Sequence, residues 1–179
     1  MTFSPLTEWH TRPRVLNYVR KARGLYLYQT AVYLSSDCIQ ISISIGRERK
    51  IGVWNFYNAP AKCRGAGEGL KLLLKLPDSP EFVGGDINLR HPVWDSQATS
   101  SSNQAVALIE WAREKDLCIL NPTDTPTHNR SGTLDIAFCS LVGAKCKITS
   151  EFRTKSDHET IVTTIPLCGD LVESKPKRL

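Results

Sequence analysis

The chain has 179 residues and a mass of 20.0 kDa, and 41% of its residues are hydrophobic and 23% are charged. These proportions are ordinary for a globular domain and exclude a disordered, collagen-like or coiled-coil protein. The length allows one hydrophobic core but not two independent enzyme domains. Apolar runs fall well short of the roughly 20 residues that cross a bilayer, so no membrane partner is expected.

The net charge of +5 is unevenly distributed along the chain. Residues 1–75 carry a net charge of +8, residues 76–144 a net charge of −5, and residues 145–179 a net charge of +2. An acidic centre between basic flanks suits a metal-dependent enzyme that acts on a phosphate polymer, because carboxylates hold the cation while basic side chains attract the backbone. Taken alone, the charge is explained more simply by solvated surface charges and a basic tail.

The N-terminus and the cysteines indicate a protein of the nucleus or cytoplasm that is not secreted. The first residues, MTFSPLTEWHTRPR, contain neither an apolar signal core nor an amphipathic transit pattern. The six cysteines form no C-x-x-C pair, so a zinc site is not expected. Cys38, Cys118 and Cys139 stand in apolar segments and are predicted to be buried, reduced thiols.

Alternating and apolar segments predict many strands. In chain order these lie at residues 14–20, 28–34, 39–45, 51–58, 80–85, 117–121, 133–140, 146–150 and 160–165. The isoleucine alternation of the third segment, followed by the charged turn GRERK, predicts a hairpin with the fourth.

Two helices are predicted between the strands. The first spans residues 69–76 and ends before Pro77, since proline disfavours helix in the residue before it. The second follows Asn103, which is predicted to be its N-cap. Strands and helices alternating in the middle of the chain, with further strands at both ends, predict a mixed α/β sandwich.

The densest group of candidate functional residues lies in EFVGGDINLRHPVWD, residues 81–95. A short apolar strand runs into Gly84 and Gly85, then presents Asp86 and Asn88 on one face. A carboxylate and a carboxamide can orient an attacking water near an oxygen-liking cation, and the carboxylate can accept its proton. For this motif alone, a turn that closes the strand is the favoured alternative.

Two further motifs offer an acid and an imidazole. KSDHET, residues 155–160, presents Asp157 and His158 before a strand, where they can supply a metal or phosphate contact and a proton donor. A solvent-exposed turn is the alternative. Asp135 interrupts the apolar strand of SGTLDIAFCS and needs a partner if it is buried. We expect His158 to be that partner, because an Asp that orients a catalytic imidazole recurs on unrelated folds; an edge position facing water is the alternative.

A weaker candidate lies in WNFYNAP, residues 54–60. Tyr57 and Asn58 end a strand there, and both can donate hydrogen bonds to a phosphate. Packing against the sheet is an equal alternative for Tyr57. The chain lacks S-x-x-K, G-x-S-x-G, P-loop and Rossmann glycine patterns, so no small-molecule cofactor is expected.

The order of these motifs resembles the endonuclease/exonuclease/phosphatase family, specifically the apurinic-like endonuclease domain of non-LTR retrotransposons of the fungal type. The matching segments are Y-N-x-P, GGDINLRHPVWD, TPTHNRSGTLDIAF and SDHE before a final strand, and they cover nearly the whole chain. The resemblance implies a four-layer sandwich in which two packed mixed β-sheets are flanked by helices. The domain is expected to span residues 1–168, and residues 169–179 are expected to form a basic tail.

The resemblance also implies divalent-metal-dependent hydrolysis of phosphodiester bonds in DNA, with Mg²⁺ as the usual cation and Mn²⁺ as a substitute. Asp86 would hold the metal and activate the water, and Asn88 would orient the water and the phosphate. Asp157 would contribute to metal or water positioning. His91 and His128 belong to the resemblance without an assigned role.

The remaining site residues act on the phosphate in this family. His158 would contact the scissile phosphate, and Asp135 would hold His158. Tyr57 and Asn58 would stand near the phosphate. A reverse transcriptase domain would be expected as a further part of the parent polyprotein.

One departure from the family pattern affects the expected activity. Relatives begin with a strand that carries an Asn and a second strand that carries the principal Glu ligand of the metal, and neither Glu8 nor Glu48 stands in a matching context. The chain is therefore expected to be N-terminally truncated, to lack the first strands and to bind metal weakly. Two alternatives stay open: a non-catalytic remnant that binds nucleic acid, and a phosphatase on the same scaffold.

Overall fold

The architecture comes from a computed structural model that describes residues 1–4, 13–31, 35–45, 49–76, 80–152 and 155–166. Parts of the sequence prediction lie outside these residues, namely the end of the strand predicted at 28–34, Pro77 after the first helix, and the tail at 169–179. Within the described ranges, no helix is long and apolar enough to cross a membrane.

A six-stranded mixed sheet is the centre of the fold. In chain order the described elements are β1 Thr2–Phe3, β2 Asn17–Tyr18, β3 Leu25–Ala31, β4 Cys38–Ile45, β5 Arg49–Tyr57, α1 Glu68–Leu74, β6 Phe82–Asp86, α2 Asn103–Glu114, β7 Cys118–Ile119, β8 Asp135–Cys139, β9 Lys145–Thr149 and β10 Thr160–Thr164. The sheet has the order β3-β4-β5-β6-β8-β7. Only its β5–β6 pair is parallel, because α1 returns the chain to the starting end of the sheet between these two strands.

The hairpin predicted from the isoleucine alternation is present. β4 and β5 pair along their full length in antiparallel register, and Ile39 and Ile41 are buried on one face. The burial predicted for Cys38, Cys118 and Cys139 is also confirmed, and all three are free thiols.

Two predicted strands are much shorter in the structure. The segment 14–20 contributes only β2, and the segment 117–121 contributes only β7. A strand extends only as far as it finds hydrogen-bonding partners: β2 pairs with the two residues of β1, and β7 pairs with two residues of β8. β1 itself is too short to show an alternating pattern in the sequence.

Both helices pack their apolar faces on one side of the six-stranded sheet. Leu70 and Leu73 of α1 and Leu108 of α2 belong to one core cluster with sheet residues such as Trp54 and Phe138. The predicted boundaries need two corrections. The first helix spans Glu68–Leu74 rather than residues 69–76. The N-cap of the second is Ser102, whose hydroxyl oxygen accepts the Ala105 N–H at 3.2 Å, and Asn103 is already helical.

Two-stranded ribbons lie against the other face of the sheet. The β1–β2 ribbon reaches it through Asn17, whose Oδ1 accepts a hydrogen bond from Asn55 Nδ2 at 2.9 Å. The β9–β10 ribbon presents Ile161 and Thr163 to the same face. A cavity of about 300 Å³ separates the ribbons, and Gly84 is part of its floor. The fold is therefore an α/β sandwich, as predicted.

Two glycines set how closely the elements around β5 approach one another. A Cβ on Gly85 would overlap the carbonyl oxygen of Phe56 on the neighbouring strand, and a Cβ on Gly69 would overlap the carbonyl oxygen of Tyr57. Gly84 and Gly85 lie inside β6, whereas the strand predicted at 80–85 ends with them. Gly84 is less constrained, because a Cβ there would first meet the Phe82 ring at 3.0 Å.

We expect Gly85→Ala to lower the free energy of unfolding by about 2–3 kcal/mol, since the added methyl group must push β5 and β6 apart. Gly84→Ala is the matched control on the same strand, and its cost is expected to be smaller because the Phe82 ring can shift. Urea unfolding of the two variants measures the difference. Equal effects of both substitutions would contradict the close approach of β5 and β6.

Candidate active site

Tyr57, Asp86 and Asp135 occupy one row across three neighbouring strands. Tyr57 lies opposite Asp86 in the β5–β6 pair, and Asp86 lies opposite Asp135 in the β6–β8 pair. Residues opposite each other in a sheet project to the same face. The adjacent residues Phe56 and Ile136 are buried in the core on the helix side, so the polar row lies on the face that the ribbons border.

The Asp86 carboxyl group has an unusual pKa. Burial and the negative charge of Asp135 raise the pKa of Asp86 to about 6, and the charge of His158 and the hydrogen bonds from Asn88 oppose this rise only in part. A carboxyl group of this kind changes protonation near neutral pH, where it can accept a proton from water.

Asn88 is held beside Asp86 by the turn that follows β6. Its backbone is left-handed, with φ 48°, a conformation that Asn adopts more readily than most residues. Its N–H donates to Asp86 Oδ1 at 3.1 Å, and its Nδ2 donates to the Asn58 carbonyl oxygen at 3.0 Å. The structure thus brings the carboxylate and the carboxamide of GGDIN together.

His158 and Asp135 are in direct contact. His158 Nδ1 lies 2.7 Å from Asp135 Oδ2, and both side chains are partly buried. Burial lowers the pKa of His158, but the hydrogen bond to Asp135 and the charges of Asp135, Asp86 and Asp157 outweigh it, so the net pKa is raised. The imidazolium form is therefore favoured by the carboxylates around it.

The sequence predicted that Asp135 interrupts a strand, but in the structure Asp135 is the first residue of β8. The reason is local hydrogen bonding: the N–H groups of Leu134 and Asp135 both donate to the hydroxyl oxygen of Thr127, at 2.9 and 3.0 Å. These two N–H groups therefore bond to Thr127 rather than to a neighbouring strand. The Asp135 carboxylate consequently stands at the end of the sheet.

Asp157 is an exposed member of the cluster. Its Oδ1 lies 4.0 Å from His158 Nε2, and its Oδ2 lies 3.3 Å from His128 Nε2. A hydrogen bond from its own backbone N–H, the His128 contact and the nearby imidazoles lower the pKa of Asp157. The group is therefore ionised at neutral pH and accessible to a cation.

Tyr57 lies beside Asp86 at the end of β5. Its side chain lies in the row of site residues, where burial and the charge of Asp86 raise the pKa of the phenol. The hydroxyl group therefore stays protonated and can donate a hydrogen bond. The guanidinium of Arg14 lies 5.2 Å from the centre of the Tyr57 ring. Arg14 is fixed in turn by two hydrogen bonds of 2.5 Å to the buried carboxylate of Asp37.

The structure corrects the prediction for Asn58. The sequence placed it near the phosphate, but its side chain is only 2% exposed and its Nδ2 donates to the Ile87 carbonyl oxygen at 2.8 Å. Its backbone carbonyl accepts from Asn88. Asn58 therefore braces the turn that carries Asn88, and its buried carboxamide is not accessible to a phosphate.

The donor atoms of the site fit a divalent cation. One ligand atom each from Asp86, Asp135 and His158 lies within 4.8 Å of the others. Burial and the facing charge of Asp135 both disfavour the ionised form of Asp86, and a bound cation would favour it. Carboxylate oxygens with several waters are the usual ligands of Mg²⁺, so Asp86 and Asp135, with Asp157 at the rim, would hold it.

An α/β sandwich with carboxylates and an imidazole at one end of its sheet has the architecture of a nuclease-type hydrolase. The sequence comparison agrees: residues 51–162, more than half of the chain, match the endonuclease-reverse transcriptase family. The chain belongs to this family. A search of curated proteins found no match.

Several solved structures are similar to this chain. The endonuclease domain of TRAS1, a telomere-specific non-LTR retrotransposon, superimposes with a TM-score of 0.64 and 23% identity, over 80% of this chain and 68% of that one. The human nocturnin catalytic domain matches with a TM-score of 0.49 and 15% identity, over 83% of this chain and 63% of its own. The Haemophilus ducreyi cytolethal distending toxin matches with a TM-score of 0.47 and 18% identity, over 84% and 61%.

We expect Asp86→Asn to stabilise the fold at pH 7.5 by about 1–2 kcal/mol, less than the pKa shift alone implies because solvent partly screens the group. The folded pKa of Asp86 is raised to about 6, so the wild-type fold loses stability as the pH rises from about 4 to about 6. The variant lacks this loss. Urea unfolding at pH 4 and pH 7.5 is the measurement, and a stability difference that is the same at both values would contradict the raised pKa of Asp86.

Proposed function

We propose that this site hydrolyses phosphodiester bonds in DNA with a bound divalent cation, Mg²⁺ in the first place and Mn²⁺ as a substitute. The observation that carries the proposal is the 2.7 Å contact of His158 with Asp135 beside the facing carboxylate of Asp86. The charged imidazole of His158, held by Asp135, supplies a hydrogen-bond donor. The neighbouring carboxylate of Asp86, with a pKa of about 6, supplies a base.

The base in this proposal is Asp86. A water that attacks phosphorus must lose a proton, and a carboxylate with a pKa of about 6 accepts it more readily than an ordinary Asp while staying largely ionised above that pH. Asn88 is fixed at its side by hydrogen bonds at 3.1 and 3.0 Å, so its carboxamide orients the water. A bound cation would neutralise phosphate charge.

The donor to the phosphate is His158. Because Nδ1 is bonded to Asp135, Nε2 is the nitrogen that meets the substrate, and the charged ring stabilises the negative charge that develops on the phosphate oxygens. Tyr57 stands on the other side of Asp86 in the same row, and its protonated hydroxyl donates a second hydrogen bond. Contacts among the chain's own residues support these roles.

DNA and a reverse transcriptase domain in the parent protein are part of the proposal. The family of the chain supports them, since its description joins an endonuclease to a reverse transcriptase. Mg²⁺ usually keeps several waters and binds through one or two carboxylates, so we expect cleavage that increases with Mg²⁺ concentration.

Nicking of supercoiled plasmid tests the proposal. The 179-residue chain is expected to form open circles in Mg²⁺ and none in a chelator, and His158→Ala is expected to lower the rate by about 100-fold or more. His91→Ala is the matched control, because the His91 ring packs on Trp94 rather than in the site, and it should leave the rate unchanged.

Other results would favour the alternatives. DNA binding that persists in a chelator and weakens steeply with salt, without any nicking, would indicate a nucleic-acid-binding remnant. Release of phosphate from monoesters that exceeds the nicking rate would indicate a phosphatase. Nicking that survives both His158→Ala and Asp86→Ala would show that another nuclease produces it.

A further inference from the structure

The segment of residues 127–129 connects the two parts of the chain that carry the site. Its backbone bonds to the residues around His158: Asn129 N–H donates to the Asp157 carbonyl oxygen at 2.9 Å, and Glu159 N–H donates to the Thr127 carbonyl oxygen at 2.8 Å. His128 and His158 form an antiparallel bridge between these bonds. The backbone hydrogen bonds of residues 127–129 therefore fix the position of His158.

Thr127 ties the same segment to the start of β8. Its side chain is fully buried, and its hydroxyl oxygen accepts the N–H groups of Leu134 and Asp135 at 2.9 and 3.0 Å. Its own N–H donates to the Gly132 carbonyl oxygen at 3.0 Å. One residue thus holds Asp135 through its side chain and the residues after His158 through its main chain.

The hydrogen bonds of His128 decide where its proton lies. Nδ1 accepts the Arg130 N–H at 3.1 Å, so the neutral ring carries its proton on Nε2. Nε2 lies 3.3 Å from Asp157 Oδ2 and donates to it. The ring also packs edge-on against His158, with 4.9 Å between the ring centres.

The position of the His128 proton argues against metal binding by His128, Asp157 and His158. His128, Asp157 and His158 bring three ligand atoms within 4.8 Å of one another, a spacing that a metal ion could bridge. A metal needs the lone pair of Nε2, and placing the proton on Nδ1 instead would set it against the Arg130 N–H. The geometry therefore favours a hydrogen-bonded support over a metal site.

We propose that Thr127 and His128 are positioning residues of the active site: Thr127 aligns Asp135 with His158, and His128 orients Asp157 and the His158 ring. The inference deepens the proposed function and rests on it. The first test of the positioning roles needs neither DNA nor metal, so these roles and the proposed function can fail separately.

Nuclear magnetic resonance of ¹⁵N-labelled protein reports which ring nitrogen of each histidine is protonated. In the wild type we expect His128 to be protonated on Nε2 and His158 on Nδ1. His128→Gln keeps an N–H donor toward Asp157, whereas His128→Phe keeps only the ring. We expect the His158 signals to be preserved in the Gln variant. In the Phe variant we expect exchange of the His158 Nδ1 proton to be roughly fivefold faster or more, since a bond of about 1 kcal/mol is lost nearby.

Thr127 is tested with two variants of similar size. Thr127→Ser keeps the hydroxyl group and Thr127→Val removes it. Because Thr127→Val leaves two N–H groups without their acceptor, urea unfolding must first show that it is folded under the conditions used. The Val variant is expected to lose the slow exchange of the His158 Nδ1 proton, and the Ser variant is expected to retain it.

Two results would overturn the inference: a wild-type His128 protonated on Nδ1, or His158 signals that are the same in the wild type, His128→Phe and folded Thr127→Val. With the nicking assay, the inference expects His128→Phe to lower kcat with KM unchanged and His128→Gln to restore it. If the spectra behave as expected and no variant nicks DNA, the proposed function fails while the positioning roles stand.

Discussion

The facing carboxylates of Asp86 and Asp135 are the constraint on which the rest of the site depends. They project from opposite positions of paired strands, where like charges are unfavourable. The structure balances them with His158 on one side and the Asn88 N–H on the other. Burial of Asp86, together with the remaining repulsion from Asp135, keeps the pKa of Asp86 near 6. The same imbalance that weakens the fold makes the site receptive to a cation and able to take up a proton.

Much of this arrangement could be predicted from the sequence, because short motifs carry it. The alternation in β4 predicts a hairpin, and GGDIN predicts a carboxylate and an amide at a strand end. Asp135 and His158 stand 23 positions apart in the chain, and local sequence patterns do not specify such a contact. The expectation came from the recurring pairing of an Asp with a catalytic imidazole, the family resemblance indicated the same pair, and the structure brings the two side chains together.

Other contacts had no signal in the sequence. Arg14 and Asp37 are far apart in a chain without a repeating pattern, yet they form a partly buried ion pair beside Tyr57. The burial of Asn58 depends on the turn after β6, which a strand pattern cannot describe. Thr127 reads as an ordinary loop residue until its hydroxyl group is seen to accept two N–H groups. Tertiary hydrogen bonds, rather than local propensity, decide all three.

The glycines beside β5 give the site a vulnerability of an unexpected kind. Gly69 and Gly85 bring α1 and β6 against the carbonyl oxygens of Tyr57 and Phe56, where no side chain fits. Any missense change at either codon introduces at least one carbon atom, so the spacing of the site has no conservative substitute there. The arrangement of the site can therefore be lost through two residues that bear no functional group, while every polar site residue stays intact.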